Sequence, residues 1–246
     1  MLYIVGLGPG DKDLMTKECL EVLGQAEIIV GYKTYIALIE DLIAGKKVYS
    51  TGMKGEIDRC QKAIELAKET DKDIAVVCSG DSGIYAMAGL IFELLASQEE
   101  DIPVKVIPGL SAGIAGAANL GAPLMNDFCF ISLSDLMTPW SMIEKRLHAA
   151  AQGDFVICLY NPRSKGRPKH LARALEIIKS YKGGDIVVGI VKDVGRKEEE
   201  TIITTIDELD EEVVDMTTTV IVGNRFTKVY QNWMYTPRGY EDKYGI

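Results

Sequence analysis

Two glycine-rich turns decide the fold: residues 6–11 have the sequence GLGPGD, and residues 78–85 have the sequence CSGDSGIY. Each turn follows a short apolar run, residues 2–5 and residues 74–78, of the kind that forms buried parallel strands. Glycine lets the backbone adopt positive φ and approach a ligand closely. Because ligands of open α/β sheets lie beyond the carboxyl ends of the strands, the two turns predict one pocket for a small, polar molecule.

The first turn differs from the known nucleotide-binding fingerprints. A G-x-G-x-x-G motif would need a third glycine where the chain has Asp11. The second predicted strand, residues 27–30, runs into Gly31, Tyr32 and Lys33 with no carboxylate to hold a ribose. The chain also has no G-x-x-x-x-G-K-[ST] phosphate loop. These differences argue against a Rossmann dehydrogenase and a P-loop enzyme, and leave open a purely structural role for either turn alone.

Composition indicates an ordinary globular protein. The chain has 246 residues, of which 47% are hydrophobic and 26% charged, which suits one large or two medium domains. No apolar run approaches the ~20 residues of a membrane span. The N-terminus runs straight into a strand with no basic region, so we expect no signal peptide. The net charge of −9 argues against general nucleic-acid binding.

The cysteines and histidines predict no metal centre on the protein. Five cysteines form no C-x-x-C pair, and the chain has only two histidines. We therefore expect reduced, mostly buried thiols in a cytoplasmic protein.

The hydrophobic pattern alternates strands with helices along the chain. Predicted strands cover residues 2–5, 27–30, 74–78, 104–107, 128–132, 155–159, 186–191, 201–206 and 217–222. Predicted helices cover residues 16–24, 57–67, 84–95, 111–121, 141–151 and 171–182. A Gly-Ala-Pro break at residues 121–123 predicts an N-terminal α/β domain of residues 1–124 and a C-terminal α/β domain of residues 125–246. Two such domains predict a cleft between them for the substrate, and the polar tail, residues 235–246, is expected to be loosely ordered.

One segment is basic against the acidic background of the chain. Five potentially cationic side chains follow the predicted strand 155–159: Arg163, Lys165, Arg167, Lys169 and His170. This position places cations at the ligand-facing edge of a sheet, although a solvated surface would have the same composition.

Three motifs together resemble the signatures of the tetrapyrrole methylases. These are the two glycine-rich turns and residues 108–112, PGLSA, in the same order and spacing. Residues 31–35 (GYKTY), 132–140 (SLSDLMTPW) and 159–164 (LYNPRS) are similar to the precorrin-3B C(17)-methyltransferases of cobalamin synthesis. The resemblance covers nearly the whole chain. It implies two α/β domains of the class III methyltransferase fold, distinct from Rossmann methyltransferases.

The resemblance also implies an activity. Members use S-adenosylmethionine, release S-adenosylhomocysteine, and methylate carbon 17 of a precorrin-3 or cobalt-precorrin-3 macrocycle with ring contraction. It further implies a cytoplasmic homodimer. The sequence leaves open whether the substrate carries cobalt.

Cofactor contacts are implied residue by residue. In the first predicted domain they are Pro9, Gly80, Asp81, Ile84, Ser111 and Ala112. In the second they are Asn161, Gly189, Val191, Thr218 and Thr219.

The substrate and its proton transfers suggest further candidates. The macrocycle carries many carboxylates, and arginine binds carboxylates bidentately, so Arg163 and Arg167 are expected to bind substrate. Ring contraction needs a proton donor and acceptor. The candidates are Lys33, Ser132, Ser134, Asp135 and Tyr160, each of which has a capping or turn role as its alternative.

Two other functions remain open at the level of sequence. The chain could be another enzyme of the same fold, such as a uroporphyrinogen or other precorrin methylase, a diphthine synthase or an RNA ribose methylase. It could also be a non-catalytic module that retains the ligand pocket.

Overall fold

A computed structural model describes residues 1–245 of the chain. The chain splits into two compact units, Met1–Ser111 and Ala112–Ile246. Each unit has its own sheet and its own hydrophobic core.

The first unit is built on a five-stranded parallel sheet with the strand order β3-β2-β4-β1-β5. Its strands are β1 (Leu2–Gly6), β2 (Ile28–Tyr32), β3 (Lys47–Thr51), β4 (Ile74–Cys78) and β5 (Val104–Ile107). Its helices are α1 (Lys17–Gln25), α2 (Lys33–Leu38), α3 (Glu56–Glu69) and α4 (Met87–Gln98). Because all five strands run in one direction, their carboxyl ends share one edge.

Both faces of this sheet are buried, which explains why its central strands are apolar throughout. Successive side chains of β1 alternate between the faces. Ile4 packs in the core on the side of α3 and α4, with Ile64 and Ile91. Val5 packs in the opposite core with Leu23 of α1.

The second unit has a mixed sheet with the order β10-β9-β11-β8-β7. Its elements are α5 (Ala112–Leu120), β6 (Gly121–Ala122), β7 (Phe128–Ser132), α6 (Trp140–Gln152), β8 (Val156–Tyr160), α7 (His170–Lys182), β9 (Val187–Lys192), β10 (Glu200–Thr205), β11 (Thr218–Val222), β12 (Lys228–Tyr230), β13 (Trp233–Tyr235) and α8 (Tyr240–Tyr244). β7 is parallel to β8, while β11 is antiparallel to both β8 and β9. The carboxyl ends of β7, β8 and β9 therefore share an edge with the amino end of β11.

The two faces of this mixed sheet are covered differently. One face packs against α6 and α7 around a core that includes Ile143 and Ile178. The other packs against α5. A Cβ at Gly116 would lie 3.3 Å from Val191 Cβ, so the small residues of α5 allow the helix to pack close to the sheet. This packing places α5 in the second unit, so the predicted boundary between residues 124 and 125 falls inside that unit.

The predicted strands and helices are all present, with shifted ends. The helix predicted from residue 84 begins at Met87, because Tyr85 adopts a φ of +53° that an α-helix cannot include. Some elements were not predicted from the sequence, or only as irregular chain: α2, β3, β6, the β12–β13 hairpin and α8.

The tail that was expected to be loosely ordered contains regular structure at residues 235 and 240–244, and one buried residue. Tyr235 ends β13, and α8 lies further along. Thr236 is buried, its hydroxyl lies 2.8 Å from that of Thr227, and its backbone nitrogen donates to Ala122 O. Ile246 lies outside the described residues. Among the helices of residues 1–245, none is both long and apolar enough to span a bilayer.

Candidate active site

The two glycine-rich turns of the first unit are joined by backbone hydrogen bonds. Gly8 N donates to Gly80 O at 3.1 Å, and Gly80 N donates to Gly8 O at 2.7 Å. Both residues have positive φ, +78° at Gly8 and +69° at Gly80. Residues that carry a side chain are strained in this conformation. Glycine at both positions therefore allows the two turns to meet.

A third loop, after β5, closes against the first two. A Cβ at Gly109 would lie 2.2 Å from Gly80 O, and a Cβ at Gly6 would lie 2.6 Å from Gly109 N. Neither distance is compatible with a side chain. We call Gly6, Gly8, Gly80 and Gly109 the glycine cradle; it brings three backbone segments together at the carboxyl edge of the sheet.

Asp81 fixes the shape of the glycine cradle. Its Oδ1 accepts from Gly83 N at 2.8 Å, and its Oδ2 accepts from Gly109 N at 3.0 Å. The neighbouring Ser82 hydroxyl, fully buried, donates to Ile107 O at 3.0 Å. A carboxylate has about four acceptor positions, so these two bonds leave acceptor capacity on Asp81.

The other predicted residues of the first unit lie around the glycine cradle or along the same sheet edge. Pro9 follows Gly8 directly and is buried, Ile84 lies in the turn before α4, and Ser111 is buried just after Gly109. Ala112 begins α5 in the second unit. Lys33 is exposed at the start of α2, at the carboxyl end of β2.

Sequence analysis missed Arg59, a buried cation near this edge. Its Nη1 donates to Thr51 Oγ1 at 2.5 Å and to Gly52 O at 3.0 Å. Its guanidinium also lies 5.7 Å from the ring centroid of Tyr32. The signal was present, because Arg59 shares the buried face of α3 with Ala63.

In the second unit, the sheet register brings five predicted residues to one edge. Ser132 is paired with Tyr160, and Thr219 is paired with Val191. Thr218 begins β11 at the same edge. Residues predicted from the sequence to bind a ligand therefore lie at the carboxyl edge of the first sheet and at this edge of the second sheet.

Asn161 and Ser132 form a hydrogen-bonded pair at that edge. Asn161 Nδ2 donates to Ser132 Oγ at 3.0 Å, and Ser134 N donates to the same oxygen at 3.2 Å. Asn161 has a φ of +52°, which asparagine tolerates better than most residues. The Ser132 hydroxyl thus anchors the ends of two neighbouring strands.

Tyr160 holds the first turn of α5. Its hydroxyl oxygen accepts from Gly113 N at 2.7 Å, and its ring centroid lies 5.3 Å from that of Phe130. A Cβ at Gly113 would come within 2.8 Å of this hydroxyl, so glycine is needed there.

The absence of a side chain at Gly189 has a packing explanation. A Cβ there would lie 2.4 Å from Leu120 Cδ1 and 3.0 Å from Met234 Sδ. Protein side chains therefore fill the space above Gly189. Its assignment to the cofactor stays a prediction.

Asp215 orders the start of β11. Burial alone would raise its pKa, but hydrogen bonds from Lys192, Thr217 and Thr218 hold the pKa of Asp215 at about 2. Thr218 Oγ1 donates to Asp215 Oδ1 at 3.0 Å. The hydroxyl of Thr218 is thus used within the protein.

The two arginines expected to bind substrate differ in their ion pairing, although each has one buried nitrogen without a hydrogen-bond partner among residues 1–245, Nε of Arg163 and Nη1 of Arg167. Arg163 is engaged within the protein, because Nη1 donates to Glu211 O at 3.1 Å and Nη2 pairs with the Glu212 carboxylate. Arg167 contacts Ser164 Oγ at 3.4 Å, and its Nη1 is buried with no hydrogen-bond partner among residues 1–245. A desolvated guanidinium nitrogen without a partner is costly unless an anion binds it.

Asp135 is paired with a histidine. His170 Nε2 lies 3.0 Å from Asp135 Oδ2. The neighbouring His170 imidazole is the main cause that lowers the pKa of Asp135 below its ordinary value. A lowered pKa keeps the carboxyl group ionised but makes it a weaker base, so it adds no support for Asp135 as a proton acceptor.

The cysteines are poor nucleophiles. Burial raises the pKa of Cys78 to about 11 and that of Cys60 to about 12.

Within the described part of the chain, no cluster of three or more His, Cys, Asp or Glu side chains could hold a metal ion.

An open cavity of about 820 Å³ lies elsewhere in the second unit. It is bordered by β10 and the β12–β13 hairpin, including Thr201 and Trp233. None of the residues that line it is a predicted site residue. We therefore base the candidate site on the sheet edges rather than on this cavity.

The fold and the glycine cradle define a two-unit α/β enzyme class that differs from the Rossmann dehydrogenases. The profile of the Tetrapyrrole (Corrin/Porphyrin) Methylases matches residues 1–210. The chain belongs to this family.

Individual relatives cover the chain almost completely. It is 55% identical over 240 residues to the probable cobalt-factor III C(17)-methyltransferase of Salmonella typhimurium, covering 98% of this chain and 99% of the relative. It is 36% identical over 247 residues to the precorrin-3B C(17)-methyltransferase of a Sinorhizobium species, covering 97% and 96%. The crystal structure of the methyltransferase CobJ matches with a TM-score of 0.91 and 39% identity, covering 96% of this chain and 99% of that one.

Proposed function

We propose that this protein transfers a methyl group from S-adenosylmethionine to carbon 17 of a cobalt-containing precorrin-3-type macrocycle, with ring contraction, in cobalamin biosynthesis. The observation that carries the proposal is the 55% identity, over nearly the full length of both chains, to a relative named for this reaction. The lower identity of 36% to the precorrin-3B enzyme favours the cobalt-containing substrate. The proposal also places the protein in the cytoplasm as a homodimer.

The glycine cradle is proposed to bind the cofactor. S-Adenosylmethionine supplies a methyl group activated on a sulfonium. The cradle presents backbone from three loops, and the absence of side chains allows close approach of a ligand. Contacts are proposed from Pro9, Gly80, Asp81, Ile84, Ser111 and Ala112, and in the second unit from Asn161, Gly189, Val191, Thr218 and Thr219.

Arg167 is proposed as the main substrate-binding cation. Its guanidinium lacks an ion-pair partner among the described residues, while that of Arg163 is occupied by Glu212. The net charge of −9 would repel a polycarboxylate, so a local cation is needed to attract it. Arg163 is assigned a secondary role.

Proton transfer is proposed to use groups at the two sheet edges. Asp135 is kept as a candidate through its position at the end of β7, and the hydroxyls of Ser132 and Tyr160 are fixed by hydrogen bonds at the ends of β7 and β8. Lys33 provides an exposed ammonium at the edge of the first unit. Holding both reactants in position contributes several kcal/mol toward the barrier.

A comparison of substrates tests the proposal. The purified protein is incubated anaerobically with S-adenosylmethionine and, separately, cobalt-factor III, precorrin-3B or uroporphyrinogen III. Mass spectrometry should show the gain of one methyl group on the cobalt substrate. Methylation of uroporphyrinogen III alone would favour the alternative family activity, and no methylation of any macrocycle would favour a non-catalytic module.

A further inference from the structure

Two large apolar side chains are presented to solvent on the segment between β7 and α6. We call residues 133–139 the β7–α6 segment. Within it, Leu136 is 75% exposed and Met137 is 93% exposed. Single exposed apolar residues are common on protein surfaces. Two adjacent ones are less common, and these two lie at a sheet edge where predicted ligand-binding residues also lie, so their exposure needs a physical explanation.

Both ends of the β7–α6 segment are fixed. Leu133 is fully buried, and its backbone nitrogen donates to Tyr160 O at 2.8 Å. At the other end, Pro139 O accepts from Met142 N at 2.9 Å in the first turn of α6. The exposure of Leu136 and Met137 is therefore not explained by a lack of anchoring contacts.

The middle of the segment lies against His170, whose Nε2 is 3.0 Å from Asp135 Oδ2. His170 is itself held, because its ring packs edge-on against Trp140 with centroids 4.6 Å apart. The Arg173 guanidinium lies 4.6 Å from the ring centroid of Trp140. Glu144 accepts hydrogen bonds from both Trp140 Nε1 and Arg173 Nη2. This network joins α6 and α7 beneath the segment.

Cations lie on the neighbouring loop. The β7–α6 segment leaves the carboxyl end of β7, and residues 161–169 leave the carboxyl end of β8, its parallel neighbour. That second loop carries the exposed Lys165 and Lys169, and Arg167, whose Nη1 has no hydrogen-bond partner among residues 1–245. One edge of the second unit thus displays an apolar pair beside a group of cations.

We infer that the β7–α6 segment is a substrate-contacting strap, in which Leu136 and Met137 pack on the apolar face of the macrocycle and the Asp135–His170 pair positions them. The inference rests on the proposed function. A tetrapyrrole combines a broad apolar ring system with peripheral carboxylates, which matches an apolar pair next to Arg167. Methionine is suited to such a surface because its flexible, polarizable side chain adapts to irregular shapes.

Serine substitutions at the tip test the contact directly. Met137 is so exposed that Met137→Ser removes little packing within the protein. We expect about a tenfold rise in KM for the cobalt substrate, since the apolar burial is lost. The kcat and the affinity for S-adenosylhomocysteine should stay within twofold. The matched control is Phe226→Ser, 57% exposed in the loop after β11 at the opposite edge, which should leave KM unchanged.

A double-mutant cycle tests the positioning pair. Asp135→Ala and His170→Ala should each raise KM, and the double variant should be no worse than the poorer single variant, because one removed partner already frees the strap. Asp135→Asn, which keeps an oxygen acceptor, should recover part of the loss. Additive effects, or a loss of stability with no change in KM, would overturn the positioning role.

The outcomes separate the inference from the proposed function. An active wild-type protein whose KM is unchanged by both Met137→Ser and Leu136→Ser contradicts the inference alone. A wild-type protein that methylates no macrocycle contradicts both.

Discussion

Asp81 Oδ2 accepts a hydrogen bond from Gly109 N at 3.0 Å, which joins the loop after β4 to the loop after β5 across the end of β1. The other carboxylate oxygen is bonded to Gly83 N. The shape of the glycine cradle thus depends on an acidic side chain that is also one of the proposed cofactor contacts.

Asp81→Asn should weaken both the cradle and cofactor binding. The amide nitrogen cannot accept a hydrogen bond, so one backbone donor loses its partner, at a cost of about 1–3 kcal/mol in unfolding free energy. Affinity for S-adenosylhomocysteine, measured by calorimetry, should fall about tenfold. The exposed Asp71→Asn in the same unit is the control and should change neither quantity. Unchanged affinity in Asp81→Asn would remove Asp81 from the cofactor site.

Gly80→Ala tests the cradle with a control matched in backbone strain. Gly80 has a φ of +69° and Gly45 a φ of +80°, and a Cβ at Gly45 would meet nothing within 4 Å. Each substitution should lower the unfolding free energy by about 1–2 kcal/mol because of the left-handed conformation. Only Gly80→Ala should also reduce affinity for S-adenosylhomocysteine. Equal affinities in the two variants would argue against cofactor binding at this turn.

Arg167→Ala should weaken substrate binding more than Arg163→Ala does. A charge-assisted hydrogen bond contributes on the order of 1.5–3 kcal/mol, which corresponds to tenfold or more in affinity. Arg163 is already paired with Glu212, so its removal should mainly affect local stability. Fluorescence titration with the macrocycle at two salt concentrations provides the measurement. Added salt should weaken wild-type binding more than binding by Arg167→Ala. A larger loss in Arg163→Ala would reverse the assignment.

Lys182 should make stability rise with pH in the alkaline range. Its Nζ is buried and donates to Gly223 O at 3.0 Å, and burial lowers the pKa of Lys182 from 10.5 to about 8. Below pH 8 both the folded and unfolded states hold the proton, so this group adds no pH dependence. Between about pH 8 and 10.5 the unfolded state binds more protons, so stability increases, by about 3 kcal/mol at most.

Urea denaturation at several pH values measures this effect. Lys182→Met should lose the increase between pH 8 and 10, although it is less stable throughout because Gly223 O loses its donor. Lys145→Met, at an exposed position of α6, should keep the wild-type pH dependence. The same slope in wild type and Lys182→Met would show that other groups cause it.

Local features of the sequence predicted most of the helices and strands. The contacts that were not predicted join residues that are far apart in the sequence. The positive φ of Gly8 and Gly80 follows from their place in turns after apolar strands, which a sequence reveals. The Asp81–Gly109 bond could not be anticipated, because it depends on the strand order that places β4 and β5 on either side of β1. The pairing of Arg163 with Glu212, 49 residues away, could not be anticipated for the same reason.

The C-terminal tail, residues 235–246, is a second case in which a contact was not visible in the sequence. Its polar composition indicated disorder, yet Thr236 is buried because its hydroxyl has a partner in Thr227. Burial of a polar residue depends on a partner that composition does not show.

The most direct test of the central claim is the position of the transferred methyl group. Cobalt-factor III is incubated with the protein and ¹³C-methyl-labelled S-adenosylmethionine, and the product is examined by NMR. The account predicts one labelled methyl on carbon 17 of a ring-contracted macrocycle. A label on any other carbon, or a product with an intact ring, would contradict it.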